Sequence, residues 1–249
     1  MLRQFMRLVL MLIVSILCLQ LFFAARIALM AVLPPESTSF QRTEILRLVR
    51  EKGSVVWAQR WMDADQISIN LKRAVIASED AGFNEHGGVD WEAMEKAWER
   101  NQKELERAEK RAARLAVTAP SKPAPMAKIV GGSTITQQLA KNLFLSSERT
   151  FVRKGQEFVL TYMLEALLSK QRILELYLNH VEWGEGVFGA QAAARRYFQV
   201  DAARLSPQQA ANLAVMLPAP KRFEKRPRSP YLLSRAGTIE ARMGAVELP

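Results

Sequence analysis

Apolar residues crowd the start of the chain. From Leu8 to Ala25 no charged side chain interrupts them, and about 18 residues is near the least that lets a helix cross a bilayer core. Arg3 and Arg7 precede this run and Arg26 closes it, so the positive-inside bias puts the N-terminus in the cytoplasm and everything after Arg26 outside. A cleaved signal peptide shares the charged start and apolar centre, but no small-x-small cleavage site follows before Arg26. A further apolar run, Ile27 to Leu33, ends at Pro34 and Pro35 and predicts an interfacial extension closed by a helix stop.

From Ser37 onward the apolar positions recur at spacings of three and four: Ile45, Leu46, Leu48 and Val49, then Leu71, Ala74 and Val75. That period predicts helices, and strand-like alternation is scarce. The expected fold class is therefore mainly α, with 1–36 as N-terminus and single transmembrane helix and 37–249 as one domain. Between Trp91 and Arg114 both charge signs are dense, with Glu92 and Lys96, Glu99 and Lys103, and Glu106 and Lys110 at i,i+4. This predicts a solvated helix. Pro120, Pro123 and Pro125 then forbid helix and predict an extended connector. The stretch 92–128 reads as a surface insertion, with a lid over a cleft as the alternative. After Pro220 a basic stretch, Lys221, Arg222, Lys225, Arg226 and Arg228, predicts a solvated tail or an anionic-lipid contact.

Composition sharpens this picture. The 249 residues fit one moderate domain plus an anchor, not two full enzymes. A formal net charge of +10 points to an anionic partner such as anionic lipid, a pyrophosphate or nucleic acid. Nucleic acid is disfavoured, because no recognised binding motif accompanies the charge and the span places the domain outside the cytoplasm. One cysteine, Cys18, excludes an intramolecular disulfide and a thiolate zinc site, and His86 and His180 are too few to replace it.

Three segments carry candidate chemistry. GGSTITQQLAKNLF, Gly131 to Phe144, opens like a helix cap; Ile135, Leu139 and Leu143 face a core, and Thr134, Gln137, Gln138 and Lys141 form a polar stripe. Such a stripe suits a polar ligand or, equally, an ordinary amphipathic helix. Next, Arg149, Arg153 and Glu157 follow at i,i+4 steps, with Lys154 three residues before Glu157. They read either as a surface ion-pair ladder or as a pyrophosphate site whose carboxylate holds a divalent cation or shapes the field. Upstream, Glu79 and Asp80 end an apolar helical run before a turn containing Gly82, Gly87 and Gly88. A carboxylate leaving apolar surroundings can be tuned for proton transfer, or it can simply end a helix.

Together these segments resemble the successive motifs of the peptidoglycan glycosyltransferase family. The resemblance rests on EDAGFNEHGGVD at 79–90, GGSTITQQLAKNLF at 131–144, RKGQE at 153–157, KQRILELYLNHVEWG at 170–184 and LAVMLPAP at 213–220. It implies a lysozyme-like, two-lobed helical domain, with the smaller lobe resting in the membrane. It implies polymerisation of lipid II into β-1,4 glycan strands, with inversion and release of undecaprenyl pyrophosphate. By the resemblance, Glu79 is the general base, and Glu157 stabilises the pyrophosphate with a divalent cation, Mg2+ first. Lys141, Arg149, Arg153 and Lys154 form a basic clamp, and Ser133, Thr134, Gln137 and Gln138 contact the donor sugar. The implied partners are lipid II, the growing glycan chain, the membrane, and other cell-wall synthesis or division proteins. The implied location is the bacterial inner membrane, with a periplasmic catalytic domain. A glycan-cleaving lytic enzyme and a non-catalytic scaffold are the competing readings. The stretch 92–128 is longer than the family usually has between its first two motifs.

Overall fold

The structure, a computed structural model, describes residues 1–118, 129, 131–146, 148 and 150–249. The first helix, α1 (Leu2–Leu29), is long and apolar enough to cross a membrane. It starts earlier than the uncharged run, because Arg3 and Arg7 are good helix formers that continue it, and it runs into the region expected to form a separate extension, ending at Leu29. At its C-terminal end Ile27 is fully buried and Met30 is nearly so, which makes this end part of the domain core.

The domain is then built from α2 (Ser39–Lys52), α3 (Ile69–Glu79), α4 (Trp91–Thr118), α5 (Ile135–Phe144), α6 (Phe151–Leu167) and α7 (Lys170–His180). Four more follow: α8 (Ala190–Phe198), α9 (Pro207–Ala214), the short α10 (Pro220–Phe223) and α11 (Pro230–Met243). Their starts are written in the sequence. Thr38 with Gln41, Thr134 with Gln137 and Ser206 with Gln209 close reciprocal capping boxes, and Thr150, Ser169 and Ser229 each accept a backbone N–H of the helix they precede. Short strands β1 (Ala58–Gln59), β2 (Glu182–Gly184) and β3 (Val187–Phe188) make a small sheet of order β1-β3-β2, with β1 parallel and β2 antiparallel to β3. Strands of two or three residues are too short to show alternation, so periodicity could not announce them.

The core joins α3, α5, α6, α7, β2 and α9 through Leu71, Ile76, Ile135, Leu139, Leu143, Leu160, Leu164, Tyr177, Trp183 and Leu213, all almost completely buried. The basic C-terminal stretch is not a tail. Pro230 at its first turn and the Ser229 cap start α11, whose Leu232, Ala236, Ile239 and Met243 are buried where it packs on α3 and α9. The charges that suggested a tail lie before that apolar period.

The charged helix α4 does form, over 28 residues. Its ladder includes Lys96 with Glu92, Lys103 with Glu99 at 3.9 Å, and Arg107 with Glu104 at 2.6 Å. These are exposed pairs that contribute little stability. Trp91 at its start stacks on Phe158 of α6 with ring centroids 5.8 Å apart. The proline connector at 120–125 lies outside the described residues.

On the sheet side, Glu182 is buried beside Lys221, 3.4 Å away, with Glu44 also paired to that ammonium. Burial pushes the Glu182 carboxyl up to about 7, against the pull of Lys221. A folded-state value above the unfolded one means that the fold holds the proton more tightly. This contribution to stability is complete below the unfolded value and is lost as pH rises towards 7. Glu182→Gln is therefore expected to raise the melting temperature at pH 8 and leave it nearly unchanged at pH 4, as read by thermal unfolding at both values.

Candidate active site

Glu79 is the last residue of α3, a half-buried residue whose carboxylate faces α5. Gln138 Nε2 donates to Glu79 Oε2 at 3.0 Å, and Ser78 Oγ lies 3.3 Å from Oε1. Burial raises the Glu79 carboxyl above the ordinary carboxylate range; the Gln138 and Ser78 hydrogen bonds oppose this, and the nearby Asp80 charge adds to it. Tyr177 of α7 donates its hydroxyl to Gln138 Oε1 at 2.9 Å. Burial raises the Tyr177 hydroxyl well above its usual range, so it remains a donor. With its oxygen taken by Tyr177, the Gln138 amide must present nitrogen to Glu79.

Gln138 also lines a cleft of about 320 Å³ together with Ser133, Gln137, Lys141, Asn142, Arg153, Lys154 and Glu157. One amide thus touches Glu79 and forms part of the cationic cleft wall. Within the cleft, Glu157 is only 3% exposed. Arg153 Nη1 donates to its Oε2 at 2.8 Å, and Lys154 pairs with its Oε1. Gln137 Nε2 and Arg153 Nε are buried donors with no protein partner among the described residues, and both belong to residues lining this cleft. Buried donors left over in a cationic cleft fit an oxygen-rich, anionic ligand.

The predicted site residues around α5 therefore divide. Ser133, Gln137, Gln138 and Lys141 line the cleft, but Thr134 does not. Its hydroxyl donates to Gly88 O at 2.6 Å and accepts from Gln137 N, so the side chain expected to contact the donor sugar is instead a buried helix cap. Arg149 lies outside the described residues. Glu157 does not fit a resident divalent cation: both oxygens are held by cations, and among the described residues no three His, Cys, Asp or Glu side chains converge.

Sequence reading missed how the two motifs are joined. Asp80 Oδ2 accepts from Ile135 N at 2.9 Å, and Asp80 Oδ1 lies 2.8 Å from His86 Nε2. Gly88 N donates to His86 Nδ1 at 3.1 Å, and Gly88 O receives the Thr134 hydroxyl, which closes a ring of hydrogen bonds. With Nδ1 accepting, His86 donates from Nε2. Gly88 is required here: it has φ +90°, and an added Cβ would stand 2.7 Å from Thr161 and Glu165. The available signal was a second acidic residue beside Glu79 with a histidine six positions on. His180, by contrast, is buried and pushed down to about 4, so it stays neutral and structural.

A helical domain on an apolar helix, with a carboxyl that burial raises set beside a cationic cleft, has the form of a group-transfer site that can receive an anion. The chain matches the family model described as Transglycosylase over residues 47–244. It is 50% identical over 230 residues to the biosynthetic peptidoglycan transglycosylase of Burkholderia pseudomallei (strain K96243), covering 92% of this chain and 82% of that one. The protein of the same name from Bordetella pertussis (strain Tohama I / ATCC BAA-589 / NCTC 13251) is 47% identical over 241 residues, 95% and 93% of the two chains. That of Paraburkholderia xenovorans (strain LB400) is 48% identical over 231 residues, 92% and 87%. The chain belongs to the transglycosylase family.

Proposed function

We propose that this chain is a peptidoglycan glycosyltransferase that polymerises lipid II, held at the bacterial inner membrane by α1 with its catalytic domain in the periplasm. The carrying observation is that Gln138 joins Glu79 to the cleft formed by Lys141, Arg153, Lys154 and Glu157. Glu79 takes the proton from the 4-hydroxyl of the incoming sugar. That oxygen forms a bond to the anomeric carbon of the growing chain, on the face opposite the departing group. The bond from that carbon to the diphosphate oxygen breaks, and its electron pair leaves with the diphosphate. Arg153, Lys154 and Lys141 receive the resulting charge, and the buried Glu157 holds Arg153 and Lys154 in place.

Any divalent cation here would be carried by the diphosphate itself, since the protein offers no free carboxylate pair for it in this cleft among the described residues. A substrate with a long polyprenyl tail remains in the bilayer, so an enzyme anchored at the same surface meets it at raised effective concentration.

The test is strand synthesis from labelled lipid II by the purified full-length protein. Lys141→Ala is expected to lower it by at least about tenfold, the worth of one charge-assisted contact to the leaving group. A glycan-cleaving enzyme has no diphosphate to neutralise. Cleavage of preformed glycan that survives Lys141→Ala, with no strand made by the wild type, would overturn the reading.

A further inference from the structure

The apolar span contains a side chain that hydrocarbon cannot satisfy. Ser15 within it donates its hydroxyl to Met11 O of its own helix at 2.8 Å. Gln20 carries a full amide, which needs a partner outside that ladder, and lipid offers none. Its partner is Gln156 of α6. Gln20 Nε2 donates to Gln156 Oε1 at 3.0 Å, and Gln156 Nε2 donates back to Gln20 Oε1 at 3.1 Å.

The place of this pair matters. Gln156 precedes Glu157 and lies one turn after Arg153, so the pair grips the turn of α6 that forms the cationic wall. One turn further along α1, Phe23 packs edge-on against Phe144, the last residue of α5, with ring centroids 5.4 Å apart. The Arg26 guanidinium lies 5.5 Å from the centre of the same ring. Helix α5 supplies Gln138 and Lys141, the opposite wall. Below, Ile27 and Met30 enter the core, and Met30 O accepts from Arg172 Nε at 2.7 Å. Both walls of the cleft are therefore braced by the helix that enters the membrane.

We infer that Gln20 is a positioning residue for the cationic cleft: through Gln156 it fixes the α6 turn that carries Arg153, Lys154 and Glu157, so α1 is part of the frame of the site as well as its tether. This rests on the reading of that cleft as a diphosphate site. Gln20→Leu makes the span more apolar and leaves anchoring intact, so it isolates the amide pair. The pair contributes as interhelical amides in membranes do, which sets the expected scale at about three- to tenfold.

Wild type, Gln20→Leu, Gln156→Leu and the double variant, all full length in lipid vesicles, are compared for lipid II polymerisation, melting temperature and binding of inorganic pyrophosphate. Each single change should raise KM about three- to tenfold, leave kcat within about twofold, and leave the melting temperature within a few degrees. The double variant should be no worse than either single, because both remove one interaction. Unchanged KM in Gln20→Leu overturns the inference. So do losses that multiply in the double variant, and so does a kcat loss that follows a fall in melting temperature. A wild type that makes no strands overturns the functional reading instead, and pyrophosphate affinity then decides about Gln20. Weaker, non-additive binding supports its role, and unchanged affinity refutes it.

Discussion

Glu79→Gln is expected to lose strand synthesis by about 100- to 10,000-fold, the range for removing a general base, while the protein melts at the same or a higher temperature. Glutamine keeps the shape and can still accept from Gln138 Nε2, which now lies 3.0 Å from the carboxylate, but it cannot take up the sugar proton. The stability half follows from the direction of the Glu79 shift. Burial raises its carboxyl above the usual range, so the ionised form that the proposed reaction needs is the form the fold disfavours. A folded value above the unfolded one gives stability that is complete at low pH and lost as pH rises. Glutamine removes that loss, so the gain in melting temperature should be present at pH 8 and vanish below about pH 4, the unfolded carboxylate range. In the wild type, kcat should fall on the acid side at a pH above that range. Loss of activity with an equal loss of melting temperature would assign Glu79 to structure. Full activity in the variant would remove it from the chemistry.

Legibility followed the physics of each element. Apolar residues every three or four positions announced α2, α3 and α5, and the uncharged run from Leu8 announced α1, since burial in core or lipid leaves a periodic or continuous mark. In α11 the same mark is present at Leu232, Ala236 and Ile239. The preceding basic cluster masked it, because charge density is read locally while the face that packs on α3 and α9 is chosen by tertiary contact. The site was partly legible. Gln138 and Lys141 share a face four residues or less apart, and helical geometry alone brings them to one cleft. Thr134 carries two competing signals, a hydroxyl for a ligand and a hydroxyl for a cap. The glutamine three residues later, Gln137, marks the cap, and the buried ring through Gly88 decides for it. Tyr177 and Gln156 gave no local sign, because their partners Gln138 and Gln20 lie 39 and 136 positions away. Long-range pairs of neutral amides and hydroxyls leave no periodicity.

Asp80→Ala should be the most damaging single change to stability, and it should reach activity without altering any group that touches substrate. Asp80 is buried and accepts from Ile135 N, the first amide of α5, and from His86 Nε2, thereby closing the ring that joins the end of α3 to the start of α5. Alanine leaves that amide and imidazole without their partner. Hydrogen bonds to a charged acceptor contribute about 1.5–3 kcal/mol each, and the two share one carboxylate, so a loss of about 2–4 kcal/mol is expected. At this chain length that corresponds to a fall of very roughly 5–15 °C in melting temperature. Glu79 is the next residue and meets Gln138 across the same junction, so slackening it should lower kcat by weakening the alignment of base and cleft. Asp90→Ala provides the control: Asp90 Oδ1 accepts from Ala93 N at 2.8 Å at the exposed start of α4, and losing such a cap costs about 1 kcal/mol. If thermal unfolding shows Asp80→Ala no worse than Asp90→Ala, the ring does not hold the two motifs together. If Asp80→Ala lowers stability but leaves kcat intact, the alignment of Glu79 with the cleft is set elsewhere, with the Tyr177–Gln138 contact as the remaining candidate.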